Sequence, residues 1–229
     1  AVAHTTRQGN HVRRLRDAIH EEKLIGEVLE MRAYGKQDQR AGGEDLMVLG
    51  SHLMDLMRFL AGSDPLFCTA RILQNDRLIT KADARLVADN VGLVAGDEVF
   101  AGYAFPGGLN ARFTSTARLR KTIGAWGIEI LGSNGTVRIN CDLAPHAFVK
   151  KSTGWSAAGS TETWVPFDPA TVTVPDSGSL DPVADWLEAV SENREPACSL
   201  KNAAWAVEMV CAAYAASLSG QRVTFPMVQ

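Results

Sequence analysis

The middle of the chain, residues 66–166, consists of strand-like segments, and the helical patterns lie before and after it. The strand-like segments fall near residues 66–74, 85–94, 97–105, 109–117, 125–132, 135–141, 145–151 and 161–166. Asn134-Gly135, between two apolar runs, predicts a hairpin turn. Consecutive strands of this kind favour an α+β fold, with a large, open, mostly antiparallel sheet and helices on one face.

The segment near 97–105 has apolar residues at both alternating sets of positions. One face carries Val99, Ala101, Tyr103 and Phe105, and the other carries Phe100, Gly102 and Ala104. A strand that is mainly apolar on both faces is typical of one covered on both sides. We therefore expect cover over both faces of this strand.

Four helices are predicted outside the strand-rich region. The first spans Asn10 to Lys23, with Gly26 ending it, and the second carries His52 and runs to Leu60. A third begins at Ser179-Leu180-Asp181-Pro182, with serine as the cap, and continues to about Asn193. The last spans Leu200 to Leu218 and is terminated by Gly220.

His52 is the one histidine on the second helix, which follows the pair Gly42-Gly43. An apolar stripe marks the buried face of this helix, and His52 is not part of it; the stripe is Leu46, Leu49, Leu53, Leu56 and Leu60. Val48 and Asp55 are the neighbours of His52 along the helix surface. A histidine placed in this way is either a structural residue or a general acid or base.

The pattern from Gly42-Gly43 through Gly50-Ser51-His52, Asp55-Leu56 and Ala61-Gly62 resembles the start of the C-terminal domain of the Gfo/Idh/MocA oxidoreductases. Other parts of the chain match this family in the expected order. They are Arg7 with the helix ending in Ile25-Gly26-Glu27-Val28, the hairpin at 130–137, Asn193-Arg194-Glu195-Pro196, and Ser219-Gly220-Gln221-Arg222-Val223 with Phe225-Pro226.

The resemblance implies a glyceraldehyde-3-phosphate-dehydrogenase-like C-terminal domain from an NAD(P)-dependent dehydrogenase that acts on a sugar, inositol or similar polyol. It also implies that His52 is the catalytic residue, beside the nicotinamide and the reacting hydroxyl. Residues 1–25 correspond to the crossover from a Rossmann domain, and residues 26–229 correspond to the substrate-binding and oligomerisation domain. Family members commonly pair through the open sheet, so a homodimer or homotetramer is expected.

Two departures separate this sequence from the family pattern. No G-x-G-x-x-G fingerprint and no Glu-Lys-Pro motif occur, so the Rossmann domain is absent from this chain and we expect no NAD or NADP to bind it alone. The chain begins Ala1-Val2-Ala3-His4 without a methionine, so we expect that an N-terminal portion is missing. Val48 stands where the family usually has an aspartate, and this leaves open an alternative: a non-catalytic ligand-binding or oligomerisation module.

Several polar residues are candidates for substrate binding. In the family, the junction that holds Arg7, Asn10 and His11 lines the interdomain cleft, although a solvated helix start with Asn10 as the N-cap is the other interpretation. Arg40, with Lys36 and Gln37, lies in the loop before the His52 helix, where a solvated polar loop is the alternative. Further candidates are the basic run Arg118, Arg120 and Lys121, and the aromatic residues Trp155 and Trp164.

Composition excludes some classes of partner. The net charge of −3 argues against a nucleic-acid-binding surface, and no apolar run approaches the roughly 20 residues that span a bilayer. The four cysteines form no C-x-x-C pair, which favours reduced thiols in a cytoplasmic protein, and the scattered histidines predict no metal site. A small sugar-like substrate is the partner expected.

Overall fold

The computed structural model describes residues 1–2, 4–119, 126–142, 146–151, 163–173 and 181–227. The helices in these ranges are α1 (Asn10–His20), α2 (Gly43–Val48), α3 (Gly50–Ala61), α4 (Pro182–Ser191) and α5 (Leu200–Ser219). The strands are β1 (Val28–Tyr34), β2 (Phe67–Gln74), β3 (Arg77–Leu78), β4 (Arg85–Leu86), β5 (Leu93–Val94), β6 (Glu98–Ala104), β7 (Asn110–Thr116), β8 (Gly127–Gly132), β9 (Gly135–Asn140), β10 (Ala147–Lys150), β11 (Val165–Pro166) and β12 (Val223–Thr224).

One large sheet of ten strands organises the molecule. Its order is β11-β10-β9-β8-β1-β7-β6-β2-β12, with β3 paired to β2. The pairing of β1 with β7 is parallel, and the other pairings described in this sheet are antiparallel. The predicted α+β class with a large, mostly antiparallel sheet is therefore confirmed, and no Rossmann-type unit is evident in the described ranges.

Helices α3 and α5 cover one face of the sheet. Tyr103 of β6 points into this layer and its hydroxyl donates a hydrogen bond to the carbonyl of Met209 in α5 at 3.0 Å. The opposite face of β6 is open, because Phe100 is 36% exposed and Gly102 is only partly buried. The expectation of cover on both faces of this strand is therefore wrong for the single chain, since its helices pack on one side only.

The prediction of one continuous strand near residues 85–94 is also wrong. Only the short pair β4 and β5 is extended there, and it forms a separate two-stranded sheet. Between them Asn90 has φ 52° and Gly92 has φ 89°, which turns the chain and interrupts the extended conformation.

The first and third predicted helices begin or end at other residues. Helix α1 stops at His20, because Lys23 has a left-handed φ of 53° and ends the helical path before Gly26. Gly9, and not Asn10, is the N-cap of α1. Asp181 caps α4 by accepting two backbone hydrogen bonds at 2.8 Å, while the predicted cap Ser179 lies outside the described residues.

The last helix and the central hairpin are confirmed. Helix α5 ends at Gly220, which has φ 68° as a left-handed C-terminal glycine requires. The last pair of the β8–β9 hairpin is Gly132 opposite Gly135. The two-residue loop is therefore Ser133-Asn134, and Gly135 is the first residue of β9. None of the helices in the described ranges combines the length and apolar character needed to cross a membrane.

The start of α2 lies very close to the backbone before β6. A Cβ atom on Gly43 would lie 2.0 Å from the carbonyl oxygen of Ala95 and 2.6 Å from the hydroxyl of Tyr214. That hydroxyl donates to the carbonyl of Gly43 at 3.1 Å. The small size of Gly43 therefore sets how closely α2 approaches the sheet.

We expect Gly43→Ala to lower the free energy of unfolding by about 1–3 kcal/mol, because the added methyl group must displace backbone atoms. Chemical denaturation followed by circular dichroism measures this. Gly102→Ala is the matched control, since its Cβ would meet Thr69 Oγ1 at 3.4 Å, an ordinary contact on the open face. Equal stability of the two variants would contradict the close approach.

Candidate functional site

The segment that carries His52 is divided into two helices and is not the single predicted helix. Helix α2 ends at Val48, Leu49 joins the two, and α3 begins at Gly50. A Cβ atom on Gly50 would lie 3.2 Å from the Phe113 ring of β7, so glycine lets the start of α3 pack closely on the sheet. His52 is therefore in the first turn of a helix that begins against the sheet.

The buried carboxylate of Asp45 holds α2 against the sheet. It accepts hydrogen bonds from the backbone amides of Lys36 at 3.3 Å and Gln37 at 3.1 Å, and from Ser115 Oγ at 2.5 Å. Asp45 is completely buried, and this burial raises the pKa of its carboxyl group. The carboxylate thereby joins the loop after β1, the end of β7 and the helix that precedes His52.

Four side chains surround His52: His4, Arg7, Asp55 and Trp126. We call these four residues and His52 together the His52 cluster. The ring of His4 meets that of His52 edge-on, with centroids 5.0 Å apart. The ring of Trp126 approaches from β8 with centroids 6.1 Å apart, also edge-on. Among the described residues, none forms a hydrogen bond with a ring nitrogen of His52.

Asp55 is the carboxylate of the His52 cluster. It lies one helical turn after His52 and is 1% exposed. Arg7 donates a hydrogen bond to it at 2.8 Å, and Nδ1 of His4 lies 3.8 Å from the same oxygen. Burial of a carboxylate is costly unless it is paired, and the arginine supplies the partner. Asp55 thus positions both His4 and Arg7 beside His52.

The surroundings of His52 favour the neutral imidazole. Burial lowers its pKa most, the neighbouring His4 lowers it further, and Asp55 acts in the opposite direction. An imidazole with a pKa below 6.5 is mainly neutral at pH 7 and can accept a proton from a hydroxyl group. The arrangement is therefore suited to a general base.

A polar group extends the cluster along the same edge of the sheet. The indole Nε1 of Trp126 donates to the carboxylate of Asp142, which also pairs with Lys36 Nζ at 3.1 Å. Lys36 follows β1 and Asp142 follows β9, two strands whose ends lie at this edge. These contacts fix the position of the Trp126 ring that faces His52.

His11 and Asn10 lie at the start of α1, as predicted, but contact other groups. His11 stacks on His146, with ring centroids 4.5 Å apart. Burial, followed by the charge of His146, lowers the pKa of His11 to about 4. The buried side-chain oxygen of Asn10 accepts no hydrogen bond from the described residues, so it remains an acceptor available to a ligand hydroxyl.

The other basic and aromatic candidates are engaged elsewhere. Arg40 pairs with Asp38 at 2.6 Å and with Asp89 at 3.3 Å, away from the His52 cluster. Arg118 pairs with Asp76 and Glu98, while Arg120 and Lys121 lie outside the described residues. Trp164 stacks with Arg138, whose guanidinium carbon is 4.5 Å from its centroid, and Trp155 is likewise outside the described ranges.

Sequence reasoning did not identify His4, Asp142 or His146 as site residues. None of them belongs to a local motif, and each meets its partner only through the fold: His4 and His52 are 48 positions apart, and His11 and His146 are 135 apart. Asp55 was visible as a helix neighbour of His52. Among the described residues, no group of three or more histidine, cysteine or acidic side chains is suited to hold a metal ion.

Residues 28–225 match the family described as "Oxidoreductase family, C-terminal alpha/beta domain". None of the curated proteins compared with this sequence matches it. Solved structures with the same fold include an oxidoreductase domain protein from Kribbella flavida, with 20% identity and a TM-score of 0.69. The alignment covers 98% of this chain and 66% of that one, so this chain spans about two thirds of its length.

Two further structures carry ligands in their descriptions. Levoglucosan dehydrogenase, in complex with NADH and levoglucosan, has 19% identity and a TM-score of 0.70 over 99% of this chain and 66% of its own. An oxidoreductase from Agrobacterium radiobacter, in complex with NAD+, L-tartaric acid and magnesium, has 18% identity and a TM-score of 0.63 over 97% of this chain and 64% of its own. At these identities the likeness shows the fold alone.

The His11–His146 stack predicts an acid-sensitive contribution to stability. The folded pKa of His11 is about 4, below the ordinary 6.5, so the unfolded chain binds more protons between these values. Stability therefore falls as the pH decreases through this window. We expect His11→Phe to show a smaller decrease of Tm between pH 7 and pH 4.5 than the wild type, measured by differential scanning calorimetry.

His146→Phe is the companion variant, since it removes the stacked neighbour that contributes to the lowered pKa of His11 and leaves His11 itself in place. Its acid sensitivity should lie between those of the wild type and His11→Phe. A decrease of Tm in His11→Phe that equals the wild-type decrease would show that the stack does not govern the response.

Proposed function

The chain belongs to the Gfo/Idh/MocA oxidoreductase family, as its C-terminal α/β domain, and we propose that the whole protein is an NAD(P)-dependent dehydrogenase for a sugar-like polyol. The observation that carries the proposal is the half-buried His52, neutral at pH 7 and framed by His4, Asp55 and Trp126. Two structural neighbours support the same reaction class by their descriptions. One is a complex with NADH and levoglucosan, and the other is a complex with NAD+, L-tartaric acid and magnesium.

The proposal assigns no dinucleotide site to the described residues. They contain no glycine-rich turn between a strand and a helix of the kind that binds a pyrophosphate. In the proposal the nicotinamide supplies the hydride chemistry, and this chain supplies the substrate side. No residue of this chain is assigned to the cofactor, and the choice between NAD and NADP is left open.

His52 is assigned the proton transfer. Its neutral ring accepts the proton of the reacting hydroxyl in the oxidation direction and returns it in the reduction direction. Asp55 stabilises the imidazolium that forms, since its charge raises the pKa of His52. Trp126 restricts the space beside the His52 ring, since the two rings meet edge-on.

The remaining candidates are assigned to substrate binding. Asn10 offers a buried acceptor for a hydroxyl group, and Arg7 and His11 flank it at the N-terminal junction. Arg40 belongs to the same proposal, although its carboxylate partners Asp38 and Asp89 must be displaced or shared for it to bind a substrate.

We also propose a role for each part of the chain. Residues 1–25 form the crossover and residues 26–229 form the substrate-binding and oligomerisation domain. The four cysteines are free thiols, which supports a cytoplasmic setting. The open sheet face supports assembly into a homodimer or homotetramer.

A second candidate function is a non-catalytic ligand-binding or oligomerisation module. Val48 favours it, because valine at the end of α2 provides no carboxylate on the N-terminal side of His52. Asp55 lies on the other side, and one of its carboxylate oxygens already accepts a hydrogen bond from Arg7. If the carboxylate before His52 is essential to the reaction, this chain lacks it.

We expect His52→Ala in the whole protein to lower kcat by about 10²–10⁴-fold, the usual contribution of a general acid or base, with cofactor affinity nearly unchanged. Steady-state kinetics and cofactor titration measure the two effects, and a thermal melt checks that the variant is folded. Activity within about threefold of the wild type would remove His52 from the mechanism and favour the non-catalytic module.

Val48→Asp separates the two candidate functions. In a working enzyme adapted to valine, the new carboxylate sits next to partly buried apolar side chains and should leave activity unchanged or reduce it. A gain in activity from a trace level would instead indicate a module that has lost turnover.

We expect the chain to form a dimer or tetramer through the open sheet face and α5. Phe100→Lys should shift it towards monomer, because Phe100 is an exposed aromatic side chain on that face. Leu86→Lys is the matched control, since Leu86 is 73% exposed on the separate two-stranded sheet. Light scattering measures the mass, and a monomeric wild type at high concentration would contradict the expectation.

A further inference from the structure

A cavity of about 400 Å³ lies at the C-terminal end of α3, where α1 and the start of α5 also meet. Its walls come from the turn before α1, α1 itself, the end of α3, the loop after α3 and the start of α5. We call it the arginine cavity, and its lining includes Arg7, Arg16, Arg58, Phe59, Ser63 and Asn202. Its volume is within the range of small-molecule sites.

The charge of the cavity is positive. Three guanidinium groups line it, and Asp64 is the one carboxylate among its lining residues. Asp64 pairs with Arg58, while Arg7 uses the buried Asp55. Nη1 of Arg16 lies 4.0 Å from the carboxylate of Asp17, which is the outer limit of an ion pair. The excess of cationic groups favours an anionic ligand.

The guanidinium groups are held in place by aromatic rings. Arg7 and Arg16 both lie over the ring of Phe59, with the guanidinium carbons 4.6 Å and 5.1 Å from its centroid. Arg58 lies 5.1 Å from the centroid of a Trp205 ring. Stacking fixes each guanidinium plane, so less entropy is lost when an anion binds. Arg7 already donates to Asp55, and Arg58 to Asp64 and Asn202, so the donors left for an anion are mainly the two Nη groups of Arg16.

A structural role accounts for only part of this arrangement. Nε of Arg16 donates to the carbonyl of Phe59 at 3.0 Å, which satisfies one carbonyl in the last turn of α3. A guanidinium carries five N–H donors, and this bond uses one. Nη2 of Arg16 extends towards Gly62, where an added Cβ would lie 4.0 Å from it.

We propose that the arginine cavity binds the phosphate group of a small phosphomonoester. A phosphate dianion presents three acceptor oxygens and two charges, which match several guanidinium edges, whereas one carboxylate pairs with a single edge. Phe59 lies seven residues, or two turns, after His52, so the cavity and His52 share one face of α3 about 10 Å apart. The cavity shares Arg7 with the His52 cluster, but phosphate binding to it does not require the proposed dehydrogenase activity.

The test is isothermal titration calorimetry of the purified chain at constant ionic strength. Inorganic phosphate, sorbitol 6-phosphate and AMP are titrated in separate experiments. We expect saturable phosphate binding in the millimolar range and tighter binding of sorbitol 6-phosphate. Arg16→Gln should weaken both about tenfold to hundredfold, the loss typical of a charged hydrogen bond. Tighter binding of AMP than of sorbitol 6-phosphate, lost in the same variant, would identify a nucleotide as the source of the phosphate.

Arg71→Gln is the matched control, because Arg71 also stacks on an aromatic ring, Phe100 at 5.0 Å, but lies on the open sheet face. Its phosphate affinity should equal that of the wild type. Ser63→Asp is a second variant that leaves the arginines intact and should abolish binding by adding a negative charge, while Ser63→Ala should retain it. Absence of saturable binding, or equal affinity in the wild type, Arg16→Gln and Ser63→Asp, would overturn the proposal.

Discussion

The buried carboxylate of Asp45 is the interaction on which the rest of the site depends. It is the group that joins α2 to the loop after β1 and to the end of β7, through Lys36, Gln37 and Ser115. Its burial is unfavourable and raises its pKa, yet three donors compensate the charge. Without this link the first turn of α3 would lose its fixed distance from the sheet, and His52 would lose its fixed place against Trp126.

The position of Asp55 changes how Val48 is interpreted. The family pattern places a carboxylate before the histidine, and this chain has a carboxylate one turn after it, on the face that also meets His4 and Arg7. A carboxylate on either side can stabilise an imidazolium, because the interaction depends on distance and burial rather than on position in the sequence. Arg7 weakens the effect, since part of the carboxylate's charge is already neutralised.

Local sequence patterns predicted those elements whose signals are local. The loop before Gly135 and the end of α5 at Gly220 depend on nearby residues, and both agree with the structure. The open face of β6 did not follow from composition, because an apolar strand face gives no indication of which chain covers it. The pairing of His4 with His52 was equally invisible, since it requires the turn before α1 to fold back on α3.

The end of α3 explains how three arginines can cluster in the free chain. The last carbonyl groups of a helix carry a partial negative charge that stabilises nearby cations. Arg16 bonds the carbonyl of Phe59, and His20 Nε2 lies 2.7 Å from that of Leu60. These carbonyls and the aromatic faces offset part of the repulsion between the guanidinium groups, so the cavity does not need an anion in order to form. The same face of α3 therefore changes from the neutral imidazole of His52 at its start to a preformed cationic cavity at its end.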